Sequence, residues 1–226
     1  INQLPFEPDF ILHTGDVGYD GIPEEYPVSQ TILGGIRYPI YYVAGNGDDP
    51  ALLQRSLMQR EIPVLPLHYE LEIKGVQLIV LDSNSANRSV EGFISEPQLE
   101  WLRELCSDEK DTRPLIIAMH HNPQIGGIPW LDNVTSIQNT EDFHATLLLA
   151  KHRVRGVFFG HIHQNLDIYR DGILYCTTPG SWAQFHAYPG QTELVHDPDA
   201  GSGFSVVMVY QHQTMIRRYR FTVEGT

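Results

Sequence analysis

Four short apolar runs in this chain each stop at a side chain able to hold a metal ion. Phe10-Ile11-Leu12 leads into Gly15-Asp16, and Pro39-Ile40-Tyr41-Tyr42-Val43-Ala44 leads into Gly45-Asn46. Leu115-Ile116-Ile117-Ala118-Met119 leads into His120, and Val157-Phe158-Phe159-Gly160 leads into His161-Ile162-His163. One carboxylate, one carboxamide and three imidazoles form a mixed oxygen and nitrogen coat for two divalent cations. Manganese, iron and zinc all suit such a coat, and the residue types do not choose among them.

Runs of this length, rich in β-branched and aromatic residues, read as buried strands. In open α/β sheets ligands collect at the carboxyl ends of such strands, so the chemistry requires these four ends to converge. His161 and His163 are two apart, and on an extended segment their rings project from one face. Gly160 permits a tight backbone before them. Adjacent residues on an extended chain face opposite ways, so of His120 and His121 the expected ligand is His120, with His121 the lesser candidate. Taken singly, Asp16 and Asn46 also read as turn residues beside their glycines.

The remaining elements fill in around these ends. Asp49-Pro50 reads as an N-cap and a proline at the first helical position, opening a helix from Pro50 to about Arg60. Ser95-Glu96-Pro97-Gln98 is a capping-box pattern before a helix with Leu99, Leu102 and Leu105 on one face. A short helix around Glu24-Glu25-Tyr26 and another from Glu141 to His152 are expected. So are strands at 69–73 and 76–81, joined at Lys74-Gly75. Leu166–Tyr169 and Ile173–Thr177 flank a turn at Arg170-Asp171-Gly172, and Ser205–Tyr210 pairs with Met215–Val223.

At 226 residues the chain can build one well-buried core, and residues 1–226 read as a single domain. The formal net charge of −13 argues against broad capture of nucleic acid. It does not exclude a small phosphate substrate, because bound divalent ions invert the local potential. No apolar run approaches the ~18 residues of a membrane span. Two cysteines, Cys106 and Cys176, are too few for a disulfide framework and make a cytoplasmic setting the expectation. The reading admits a homo-oligomer.

The order of the pieces resembles the calcineurin-like metallophosphoesterases, which read D-x-H, G-D, G-N-H-D/E, a lone H, then G-H-x-H. Here Gly15-Asp16, Gly45-Asn46-Gly47-Asp48, His120 and Gly160–His163 match four of the five across about residues 8–165. The closest likeness is to the branch of cyclic-nucleotide and glycerophosphodiester phosphodiesterases. The resemblance implies an α/β, four-layer αββα sandwich of two mixed sheets flanked by helices. It implies a dinuclear phosphoesterase, more so a phosphodiesterase, in which a metal-bound hydroxide attacks phosphorus. Asp16 would bridge both cations. Asn46, His120 and His161 would complete one site, and His163 would serve the other together with the D-x-H pair. Asp16, Asn46 and His120 are thus the expected catalytic residues. Asn46, His161 and Trp182 are the expected substrate contacts, with Trp182 either stacking on a base or belonging to the core. His13, His68, His144, His152 and His212 are expected at the surface or in packing.

Two departures bear on activity. No D-x-H stands before Phe10, so the first strand and its ligands are expected on a segment preceding Ile1. Gly47 occupies the position where the family has a histidine near the metals, which the resemblance implies either protonates the leaving oxygen or holds the phosphate, and general-acid help is worth roughly 10²–10⁴-fold. Gly47→His is therefore expected to raise turnover, most on alkyl diesters. The alternative is an attenuated binding or scaffold protein on the same fold, for which the retromer scaffold subunit is the family precedent.

Overall fold

The run Val76-Gln77-Leu78-Ile79-Val80-Leu81 sends alternate side chains to opposite faces of a sheet, and both faces are covered. The computed structural model describes residues 1–85, 89–181 and 183–221. In chain order the elements are β1 (Ile11–His13), α1 (Glu25–Leu33), β2 (Ile40–Tyr42), α2 (Pro50–Ser56), β3 (Tyr69–Ile73), β4 (Val76–Val80) and α3 (Glu96–Ser107). They continue as β5 (Leu115–Ala118), α4 (Pro129–Val134), α5 (Thr140–Leu149), β6 (Val154–Phe159), β7 (Asp167–Arg170), β8 (Ile173–Thr177), β9 (Gly203–Val209) and β10 (Thr214–Arg220).

Six strands form one mixed sheet in the order β3-β4-β5-β6-β8-β7. Its inner strands β4, β5, β6 and β8 run parallel, and β3 and β7 add antiparallel edges. On one face Ile79, Leu81, Ile117, Met119, Val157 and Phe159 pack against Leu99 and Leu102 of α3 and Phe143 and Leu147 of α5. On the other, Leu78, Val80, Ile116, Ala118 and Phe158 meet Leu12, Val43, Val207, Val209 and Ile216. That second layer consists of two separate pairs, parallel β1-β2 and antiparallel β9-β10. Tyr26 of α1 and Leu53 of α2 then cover Tyr42 and Ala44. The order is helices, sheet, strand pairs, helices, the four layers expected. Each large apolar side chain fully buried in these interfaces contributes about 1.5–3 kcal/mol. Among the described residues no helix is long and apolar enough to cross a membrane.

Local differences from the sequence reading have visible causes. Helix α2 ends at Ser56 rather than near Arg60. Gln54 instead ties the following loop, donating to the Val64 carbonyl at 2.8 Å and accepting from the Val64 N–H at 3.0 Å. Ser95 precedes α3 without capping it through its side chain. Gln98 turns inward, accepting from the Asp82 N–H and donating to the Asp82 carbonyl, each at 2.9 Å, which fixes the chain just beyond β4. The second hairpin is present as β9 and β10, and residues 222–223 of its expected extent lie outside the described residues.

Asp49 does cap α2, accepting from the Ala51 and Leu52 N–H groups at 2.9 Å each. Asp49→Ala should lower the unfolding free energy by about 0.5–2 kcal/mol. Urea unfolding checks this, with the midpoint falling at unchanged slope.

Candidate metal centre

Strands β1, β2, β5 and β6 all end at one place, and four side chains meet there. The centre of the group is His120, whose side chain is 1% exposed. Its Nδ1 lies 2.7 Å from the Thr14 carbonyl oxygen. A carbonyl only accepts, so Nδ1 carries the hydrogen and Nε2 presents a lone pair inward. Around that Nε2 stand Asn46 Oδ1 at 3.2 Å, Asp16 Oδ2 at 3.2 Å and His161 Nδ1 at 3.0 Å. His161 is oriented in the same way, its Nε2 donating to the Val90 carbonyl at 3.0 Å and its Nδ1 left as an acceptor. Four acceptors therefore crowd one point. A proton on His120 can satisfy one of these contacts, whereas a cation at the centre satisfies all four groups. Donors about 2.0–2.1 Å from a tetrahedral metal are separated by roughly 3.4 Å, close to the spacing here.

Backbone shape makes the convergence possible. Asp16 sits at φ 55°, His161 at φ 65° and His163 at φ 47°, a region that L side chains seldom adopt. Such residues persist where surrounding contacts over-determine them, and they gather at functional sites. Two glycines permit the close approach. A Cβ on Gly15 would come within 2.3 Å of His120 Nδ1, and one on Gly45 within 2.1 Å of Asp16 Oδ1.

The segment after β6 differs from the extended geometry expected of it. The left-handed residues flank a buried Ile162, whose N–H bonds to the Gly160 carbonyl at 2.7 Å. His161 and His163 therefore lie on a tight turn. His161 joins Asp16 and His120 in one donor group and His163 stands outside it, its ring stacked on Phe185 at 5.2 Å. Trp182 lies outside the described residues.

His121 is fully buried behind the group, with ring centroids 5.1 Å from His120 and 4.6 Å from His161. Ser83, beyond β4, supports both histidines through its hydroxyl. The sequence reading missed Thr14 and Val90, which act through backbone carbonyls and carry no side-chain signal. It also missed Ser83, for which a polar residue just past an apolar strand was an available one. His13 is half-buried near Asp16, and His144 is buried and hydrogen-bonded to the Tyr175 hydroxyl at 2.6 Å.

Gly47 has a steric explanation. A Cβ there would meet the Gly18 and Tyr19 carbonyl oxygens at 2.9 and 3.0 Å and Asp16 Oδ1 at 3.1 Å. The loop over Gly47 is strapped by Asp48, which accepts from the Gly18 N–H at 2.9 Å, and by Glu25, which accepts from Gly21 at 3.0 Å. A histidine at residue 47 would have to displace backbone, so the gain expected of Gly47→His does not fit this geometry.

The electrostatics follow from burial. Desolvation would raise the Asp16 carboxyl, but His120 and the Gly47 N–H outweigh it and hold the group well below the usual carboxylate range. Desolvation likewise opposes charge on His120, and Asp16 more than offsets it, raising the imidazole. Burial first, then neighbouring imidazoles, depress His161 to about 3 and His121 to about 2, and burial depresses His13 to about 4.

Two outcomes are expected. Gly47→Ala should push on Asp16 Oδ1 and weaken binding of Mn²⁺ by roughly 10-fold or more, measured by titration calorimetry. The three depressed histidines, together with His163, which burial also depresses, take up protons near pH 6.5 when unfolded but not when folded, so stability is lost as pH falls below about 6.5. His120, raised, acts in the opposite sense but is outnumbered. The melting temperature of metal-free protein should therefore drop between about pH 7 and pH 5, as calorimetry across that range would show.

The match of the calcineurin-like phosphoesterase family model covers residues 1–165. The cyclic AMP phosphodiesterase CpdA of Pseudomonas aeruginosa is 29% identical over 84% of this chain, which spans 66% of that protein. The glycerophosphodiester phosphodiesterase GpdQ of Enterobacter lignolyticus is 30% identical over 72% of this chain and 59% of its own length. The fold is shared with a dimetal phosphatase from Danio rerio, at TM-score 0.64 and 14% identity over 92% of this chain and 83% of that one. The match of motif order, layer order and strand-end donors has one conclusion: this chain belongs to the calcineurin-like phosphoesterase family.

Proposed function

We propose that the protein is a dinuclear metal-dependent phosphodiesterase acting on small diesters of the cyclic-nucleotide or glycerophosphodiester type. The observation that carries this reading is the convergence of Asp16, Asn46, His120 and His161 as acceptors on one point. In it Asp16, Asn46, His120 and His161 would hold one cation. Asp16, whose charge reaches His163, would hold a second together with that histidine. Divalent cations so held supply Lewis-acid charge to phosphoryl oxygens and lower the pKa of water. The chain's own contribution is placement. Thr14 and Val90 fix the two ring orientations, Gly15 and Gly45 allow close approach, and the lowered pKa of Asp16 favours its anionic form.

The relatives named above act on cyclic AMP and on glycerophosphodiesters by their names, and both are small phosphodiesters. With carbonyl oxygens packed over Gly47 in place of a proton donor, acidic leaving groups should fare best. The same feature favours a second reading, an attenuated binding protein. The fold is also that of GAP50 of Plasmodium, described as the anchor in the inner membrane complex, at TM-score 0.64 and 15% identity over 93% of this chain and 74% of that one.

Hydrolysis of bis-p-nitrophenyl phosphate and of 3′,5′-cyclic AMP with Mn²⁺, Fe²⁺ or Zn²⁺ separates the two. Metal-dependent turnover that falls by roughly 100-fold or more in Asp16→Ala and His120→Ala is expected. Retained metal with no turnover on any diester would put the binding reading first, and turnover indifferent to chelators would overturn both.

A further inference from the structure

Behind the donor group the Ser83 hydroxyl makes three hydrogen bonds, and their count fixes a proton. The backbone N–H groups of His120 and His121 donate to Ser83 Oγ at 3.2 and 3.1 Å, and His121 Nδ1 lies 2.8 Å away. A hydroxyl has two acceptor sites and one hydrogen. With both acceptor sites taken by amides, the hydrogen goes to His121 Nδ1. His121 is therefore the Nε2–H tautomer, its buried Nε2 makes no hydrogen bond of ordinary geometry, and the Ser89 backbone lies near the ring.

The ring so fixed is wedged against both ligand imidazoles, at 87° to His120 and 52° to His161. Its other side is closed by Gly92, where a Cβ would fall 2.6 Å from His121 Cγ. His120 Nε2 and His161 Nδ1 are held 3.0 Å apart with lone pairs facing. Such a pair repels unless a proton or a cation lies between the two nitrogens, so the rings need backing that does not yield. We infer that His121, locked by Ser83, is a positioning residue for the metal centre: it pre-sets the rotation of the His120 and His161 rings before any cation binds. This inference rests on the metal reading above.

Nitrogen-edited NMR of imidazole groups in the metal-free protein tests the lock. His121 should show the Nε2–H form, and Ser83→Ala should let the Nδ1–H form appear. Calorimetric titration with Mn²⁺ tests the positioning. His121→Phe, which keeps the ring and loses the nitrogens, should bind roughly 10–100-fold more weakly. Its metal-free melting temperature should change little, since the buried Nε2–H without a partner is gone while the buried Ser83 hydroxyl loses its acceptor. A Nδ1–H form in the wild-type protein overturns the lock. Affinity in His121→Phe within about twofold of wild type overturns the positioning, as does a fall matched by a collapse of the metal-free melting temperature. Should Ser83→Ala fail to fold, the wild-type spectrum and His121→Phe still decide the matter. A wild-type protein that binds no Mn²⁺ overturns the metal reading and the positioning role together, whereas unchanged affinity beside a binding wild type overturns the positioning alone.

Discussion

The hydrogen bond from His120 Nδ1 to the Thr14 carbonyl, 2.7 Å long, joins the loop after β1 to the end of β5. It sets the tautomer of His120 and so turns Nε2 toward Asp16, Asn46 and His161. The same carbonyl leaves no room for a side chain on Gly160, where a Cβ would sit 2.8 Å away, so it also shapes the turn that delivers His161. A reversed ring would present an N–H to the acceptor cluster, and the convergence would have no chemical meaning.

Cost is concentrated at the same place. Three of the non-glycine residues with positive φ, Asp16, His161 and His163, belong to the strand-end motifs. Backbone of this kind costs on the order of 1–3 kcal/mol per residue. The offsetting terms lie in the layers on either side, where strands β4, β5 and β6 bury apolar side chains on both faces. The site is thus a strained rim on a rigid double-faced sheet, as a pre-organised constellation requires.

Much of this was legible in the sequence. Apolar runs ending at Asp16, Asn46, His120 and His161 gave the strand ends, and their common destination follows from where parallel strands present ligands. Asp49-Pro50 announced α2, and Arg170-Asp171-Gly172 announced the β7-β8 hairpin. What stayed hidden is of two kinds. Contacts made by carbonyls, at Thr14 and Val90, leave no mark in residue identity. Left-handed histidines carry no local signal either, because only tertiary contacts hold them there, and the extended geometry expected for 161–163 gave way to a turn. Gly47 looked like a lost proton donor, and the structure adds a second meaning: the Gly18 and Tyr19 carbonyls fill the space a side chain would need.

Asp16 and Asn46 are carried by the two-stranded pair β1-β2, while His120 and His161 are carried by the six-stranded sheet. Between them lie the interlayer core of Leu12, Val43, Val80, Ala118 and their neighbours and a few hydrogen bonds at its edges, such as those from His120 to Thr14 and from Asn84 to Ala44. A two-stranded pair of three-residue strands has little stability of its own, so its distance from the large sheet is set by that packing. A cation at the four donors would be a rivet through two plates. Slippage of the plates would dismantle the site without breaking a single strand pairing, and metal affinity becomes a gauge of how tightly the plates are pressed together. Residues that never touch the ion, Val43 and Leu12 among them, would then tune it through thickness rather than through charge.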